Sequence, residues 1–371
     1  MIIENQKERE IGLEQKRANT VQRESGIELY RIITMLVIVA HHYIVNSGII
    51  ELINQETAMN FRAVFAMLFG WGGKTGINCF VLITGYFMCK SHITVKKFLK
   101  LLLSVGFYSA ALYVLFVLFG YRAFRFLDLI EVLMPIQDIA TGFTSAYLVF
   151  MLFIPFLNVL LHALTQKQHQ ILIFLSVFVY SVWSSIGFEV TFNYVTWFAI
   201  LYVIAAYVRL YPNYLFENKK LWAFMSIISL LLSWLSVISL MYAAQLLGKN
   251  FGIAYYFVSD SNKILALVTG LCTFMFFKNI NIGYHPWINK IAASAFGVLL
   301  IHANSDTMRQ WLWRDTLDNV RAYYSEYFVI HAVSSVLAVY IACTVIDFVR
   351  IQVLEKPFLK WYDDKLKNKD I

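Results

Sequence analysis

Ten long apolar runs constrain this chain more than any other feature of it. They lie near 27–49, 74–89, 97–119, 144–163, 170–187, 192–209, 221–245, 262–279, 289–303 and 327–349. A helix needs about 20 apolar residues to cross the hydrocarbon core of a bilayer. It also satisfies its own backbone hydrogen bonds there, which irregular chain in lipid cannot do. The runs therefore predict an all-α polytopic membrane protein with about ten transmembrane helices. The second and ninth runs are short, and the fifth and sixth are separated by only a few residues. Composition agrees: 15% of the 371 residues are charged, against about 25% in an average soluble domain, and they crowd into the connections.

Those connections set an orientation. About two thirds of the 31 Lys and Arg residues fall on the side that holds both termini, and the positive-inside rule makes that side cytoplasmic. The formal net charge of +8 follows from this topology and calls for no nucleic-acid partner. Residues 1–24 are polar and lack the apolar core of a signal peptide, so they read as an N-terminal cytoplasmic tail. Residues 25–350 then form one transmembrane domain and residues 351–371 a C-terminal cytoplasmic tail. The outer connections, near 50–73, 120–143, 246–261 and 304–326, are too short for a folded extracellular domain. Cys79, Cys89, Cys272 and Cys343 have neither metal-type spacing nor a disulfide framework; no metal is expected, and the thiols read as packing groups.

Ionisable residues at bilayer depth are costly enough to be read as functional by default, and the first run, SGIELYRIITMLVIVAHH from Ser25 to His42, concentrates them. Arg31 and His42 are eleven positions apart, which at about 100° per residue brings them within roughly 20° of one line along the helix. His41 falls about 80° off that line. Glu28 precedes Arg31 by three residues, the spacing at which helix side chains meet, and can neutralise the guanidinium. A helix rise of about 1.5 Å per residue puts His42 roughly 16 Å deeper than Arg31. The bland reading is a Glu–Arg pair at the interface and a histidine bonded to a neighbouring carbonyl. The chemical one is a charge at one mouth and a titratable base near mid-membrane, on one wall of a shared cavity.

Other candidates are weaker. Lys96, Lys97 and Lys100 open the third run on the cytoplasmic side; they are either positive-inside markers or point charges for a phosphate-bearing cosubstrate. His302 and His331 lie towards the outer side, where a lone histidine usually serves as an interfacial hydrogen-bonding residue. Asp347 and Arg350, three apart at the inner end of the last run, read as a structural pair.

The ordered set of motifs resembles the acyltransferase-3 family of integral membrane acyltransferases. It is carried by Glu28, Arg31 and His42 in the first run, by GINCFVLITGYFMCK with Thr84, Gly85 and Tyr86, by SAYLVFMLFIPFLN, and by GVLLIH ending at His302. The resemblance implies transfer of an acyl group, usually acetyl, from cytoplasmic acetyl-CoA to a hydroxyl of a cell-envelope or lipid-linked glycan, in a protein of the bacterial cytoplasmic membrane. His42 would be the base, or the carrier of an acyl-histidine intermediate. Arg31, held by Glu28, would orient the donor or stabilise negative charge. Lys96, Lys97 and Lys100 would meet the CoA phosphates, and His302, His331 and Tyr86 would bind the acceptor. One departure is lysine in the inner turn, where many members carry arginine; lysine keeps the charge and loses the bidentate fork. An appended extracellular esterase-like domain is also absent from this sequence. The rival functions are a secondary transporter with intramembrane His/Arg coupling, for which paired repeats would be expected, and a lipid-linked glycan polymerase or ligase, which would need a long, arginine-bearing outer loop.

Overall fold

A computed structural model describes residues 25–56, 58–134, 136–137 and 142–367. The proposed N-terminal tail, part of the 120–143 connection and the last residues of the C-terminal tail lie outside them. The described chain is helical without strands. Six helical stretches are long and apolar enough to cross a membrane: 25–45, 61–88, 95–118, 143–163, 219–246 and 328–365. The helices at 194–210 and 264–278 are apolar but shorter. The remaining two runs fold as broken helices. One is Gln166–Val177 continuing into a π-helical turn, Phe178–Trp183; the other is Pro286–Ala292 followed after two residues by Ala295–His302.

We number α1 Ser25–Val45, α2 Phe61–Gly70, α3 Gly73–Met88, α4 Val95–Leu118, α5 Phe143–Ala163, α6 Gln166–Val177, α7 Tyr194–Leu210, α8 Lys219–Leu246, α9 Ile264–Lys278, α10 Pro286–Ala292, α11 Ala295–His302, α12 Phe328–Arg350 and α13 Lys356–Lys367. Local sequence sets several of the starts. Thr94 accepts from the backbone N–H of Lys97 at the head of α4, Asn193 from Thr196 at α7 and Asn218 from Leu221 at α8, so a side chain satisfies one of the orphan donors of each first turn. From Ile351 to Lys367 the chain stays helical: a π-helical turn, Ile351–Glu355, carries α12 into α13, and Glu355 is buried.

Helix α1 is central. It packs on α2, α3, α9, α10, α11 and α12, and two apolar cores meet around it. One joins α1 to α2, α11, α12 and the segment after α11; the other joins α3, α5, α7 and α9. The outer surfaces of α5, α8 and α12 expose Phe153, Phe156, Val159, Phe224, Ile227, Leu235, Ile341, Val345 and Val349. An apolar surface this extensive suits acyl chains rather than water. Close helix approach depends on glycine at two positions: a Cβ on Gly85 would lie 2.9 Å from Ala205 and 3.0 Å from the Tyr202 backbone, and a Cβ on Gly73 would collide with the His41 ring.

Candidate active site

Two cavities lie one beyond the other along α1, each walled by α1, α3, α4, α5 and α11. The first, about 320 Å³, includes Glu28, Arg31, Met35, Thr84, Lys97, Lys100, Tyr147, Asp347, Arg350 and Glu355 in its lining. The second, about 520 Å³, includes Ile38, His41, His42, Asn46, Lys74, Ser109, Thr144, Ser145, Tyr194, Asn304 and Arg309. Phe143 and Leu299 line both. The stripe Arg31, Met35, Ile38, His42 follows the i, i+4, i+7, i+11 spacing of one helix face. The cation and the imidazole do share a face of α1, but they open into two adjoining chambers with Phe143 and Leu299 between them. The single shared cavity expected from the sequence is thus corrected.

In the second chamber, hydrogen bonds fix the tautomer of the histidines. The backbone C=O of Val298 can only accept, so His302 carries its proton on Nδ1 to make the 2.6 Å contact. The neutral ring then has a bare Nε2, which accepts from His42 Nδ1–H at 2.9 Å. This leaves His42 Nε2 as the unprotonated nitrogen, and His42 lines the cavity. His302 is fully buried at the end of α11, and Trp313 stands edge-on to its ring. His41, on the same cavity wall, donates Nδ1–H to the Gly70 carbonyl at 2.5 Å. Lys74 donates to the Tyr194 hydroxyl at 2.7 Å and sits 3.4 Å from Asp260.

The first chamber is walled by a chain of charges. Arg31 Nε lies 3.7 Å from buried Glu28 and has no hydrogen-bond partner. Tyr108 donates to Asp347 at 2.8 Å, Arg350 joins Asp347 at 2.8 Å to Glu355 at 2.9 Å, and Lys100 reaches the other oxygen of Glu355 at 2.6 Å. Asp347 and Arg350 are the ion pair their spacing predicts. Tyr108 and Glu355, which complete the network, were not picked out from the sequence, because a tyrosine in an apolar run and an acid in a polar tail carry no signal by themselves.

Several expected site residues are placed elsewhere. Lys96 lines neither chamber and pairs with Asp363 of α13 at 2.6 Å. Tyr86 also lines neither; it is buried in the second core, accepting from Arg209 at 2.8 Å with the guanidinium over its ring. Its neighbour Thr84 reaches the first chamber instead, bonded to Tyr147 at 2.9 Å. His331 lies off the cavities, with its Nδ1 2.8 Å from the Tyr43 hydroxyl. Tyr86 sits on a helix face turned into packed core, and His331 on one turned to Tyr43 of α1. Lys74, Asn46 and Arg309 also line the second chamber; none of the three stands in a local sequence pattern that marks it.

The described chain is a multi-pass helical membrane protein with a histidine facing a polar chamber between its helices. The family model for the acyltransferase-3 acyltransferase domain matches residues 24–347, and the chain belongs to that family of membrane acyltransferases. No curated protein and no solved structure matches it.

Proposed function

We propose that the protein moves an acyl group, acetyl in the first instance, from a CoA thioester in the first chamber to a glycan hydroxyl in the second. In this reading the chain crosses the membrane ten times, both termini are cytoplasmic, and the protein resides in the cytoplasmic membrane of a bacterium. The observation that carries it is the bare Nε2 of His42, on the wall of a chamber that adjoins one holding Arg31, Lys97 and Lys100. Arg31, Lys97 and Lys100 surround the first chamber and suit the phosphates of the donor, though Lys100 shares its charge with Glu355. Lys96, tied to Asp363, is left out of that role. The acyl end passes between Phe143 and Leu299.

The acceptor hydroxyl gives its proton to His42 Nε2 as its oxygen attacks the thioester carbonyl. The tetrahedral intermediate then expels the thiolate, which takes that proton back, so the ester forms as the C–S bond breaks and the imidazole returns to its starting state. His302 Nε2 accepts from His42 Nδ1–H throughout and steadies the imidazolium between the two steps. Lys74 offers a positive charge in the same chamber for the oxyanion. Arg31, roughly 16 Å away along the helix, holds the donor and does not reach the reacting carbon.

The test is transfer of labelled acetyl from acetyl-CoA to envelope glycan by the full-length protein in membranes. Loss of about a hundredfold or more is expected for His42→Ala, in the range typical of general base removal. Wild-type transfer by that variant at matched expression would refute the reading.

A further inference from the structure

The second chamber carries cations without matching anions. Among the described residues that line it, Lys74 and Arg309 are the permanently charged side chains, and none is Asp or Glu. Lys74 is answered by Tyr194 and Asp260. Arg309 is answered less well. Its Nη1 meets Asp306 at 2.7 Å, but that carboxylate is 96% exposed, and a solvent-screened pair of this kind is weak. Its Nη2 reaches the Ala303 carbonyl at 3.4 Å, and its Nε is buried with no partner. Asn46 Nδ2, on the same lining, is a second buried donor without an acceptor. Unsatisfied buried donors in a native fold call for a partner, which an ordered water, an ion or a ligand supplies; two of them on one wall beside a guanidinium favour an anion.

Resting on the acyl-transfer reading above, we infer that the acceptor is an acidic glycan, and that Arg309, assisted by Asn46, binds an anionic substituent of the sugar. The donor does not supply that anion, because its phosphates stay in the first chamber and its acyl end is neutral. Charge developing on the carbonyl is already faced by Lys74. A guanidinium fork suits a planar carboxylate or a phosphate with two parallel hydrogen bonds, and about 520 Å³ lies within the usual range for small-molecule sites.

The experiment uses the full-length protein in proteoliposomes with acetyl-CoA. It compares glucose, glucuronic acid and glucose 6-phosphate as acceptors, following acetyl ester formation and free thiol together. The expected result is a kcat/KM about tenfold or more higher for the acidic sugars, as a charge-assisted hydrogen bond of about 1.5–3 kcal/mol would give. Whichever acidic sugar is favoured identifies the anion. Arg309→Gln should lower that preference to near unity, by raising KM for the acidic acceptors more than for glucose. Asp306→Asn, which frees the fork, should keep or increase it. Equal use of neutral and acidic sugars by the wild type, or an Arg309→Gln loss that is the same for all three, overturns the inference. Absence of turnover with every sugar speaks against the acyl-transfer reading instead. In that case equilibrium binding of labelled glucuronate and glucose 6-phosphate decides, with Arg309-dependent binding supporting the site and no binding refuting it.

Discussion

Replacing His302 with leucine isolates what the hydrogen-bonded histidine pair contributes. His42 Nδ1–H would keep its place in a buried setting and lose the acceptor 2.9 Å away. Leaving a buried donor unmade costs about 1–3 kcal/mol. The ring can escape that cost by moving its proton to Nε2, which removes the base from the chamber. At about 1.4 kcal/mol per tenfold, the population of the active tautomer, and with it kcat, should fall roughly 5- to 140-fold. KM for acceptor should move much less, since His302 is fully buried and does not line the chamber. His302→Gln offers a side-chain carbonyl oxygen as replacement acceptor and should restore part of kcat. The assay is thiol release and ester formation under saturating acetyl-CoA, with thermal melting of the detergent-solubilised protein run alongside. If His302→Leu melts as the wild type does and turns over at the wild-type rate, the tautomer argument is wrong. If Leu and Gln variants lose kcat equally while stability is intact, His302 packs the site without orienting its base.

Further outcomes follow from the charge chain and the partition. Arg350→Leu strips the shared partner from Asp347 and Glu355, which are 1% and 3% exposed at their side chains; breaking a buried ion network of this kind costs about 3–5 kcal/mol, so a lowered melting temperature and poor yield are expected. Lys96→Ala opens a half-exposed pair and should change stability by less than about 1 kcal/mol, with little effect on donor KM. Gly73→Val should push the His41 ring away from Gly70, lowering acyl transfer while the protein still inserts in the membrane. Leu299→Trp fills the gap between the chambers and should block transfer from acetyl-CoA without abolishing donor binding, which equilibrium binding of labelled CoA would detect.

The fold was largely legible because its main signal is chemical and long. Each of the ten apolar runs is helical in the structure, and six of them belong to helices long and apolar enough to cross a membrane, where a helix satisfies its own backbone. What periodicity did not reveal is that the runs at 170–187 and 289–303 are interrupted. A π-helical turn and a two-residue break leave average hydropathy unchanged. Arg31, Glu28 and His42 stood out in the sequence for a related reason: three ionisable groups at helical spacing inside one apolar run are a local pattern, readable from one helix, and the structure sets each of them on a cavity wall. The hydrogen-bond and ion-pair pairings around them were not readable in this way, because the partners come from distant parts of the chain. His42 and His302 are 260 residues apart, and Lys100 finds Glu355 only when α4 and the π-helical turn after α12 come together. Tyr86 illustrates the converse. It belongs to a recognisable Thr-Gly-Tyr string, yet Thr84 faces the chamber while Tyr86, two residues or about 200° round the helix, points into core.

In the proposed reaction, the two-chamber layout also accounts for the placing of donor-binding cation and base together on α1 when either could have been placed on any of five walls. A rigid helix fixes the separation of Arg31 and His42 at roughly 16 Å, whatever loops and neighbouring helices do. A donor anchored by its charged end then presents its reactive end at a set depth. Flexible attachment of either residue would let that depth vary, and a misplacement of about 1 Å is enough to cost two orders of magnitude in rate. On this argument, inserting a single alanine between Met35 and Ile38 should be far more damaging than any single side-chain change in the stripe. It lengthens the spacing by about 1.5 Å and rotates His42 by about 100° from Arg31, so the imidazole leaves both the His302 acceptor and the chamber. Restoring the phase with three further residues returns the angle to within about 40° at the cost of about 6 Å in depth. If the reaction needs only the angle, that second insertion recovers activity; if it needs reach as well, it does not, and a donor with a lengthened thioester arm should then recover what acetyl-CoA cannot.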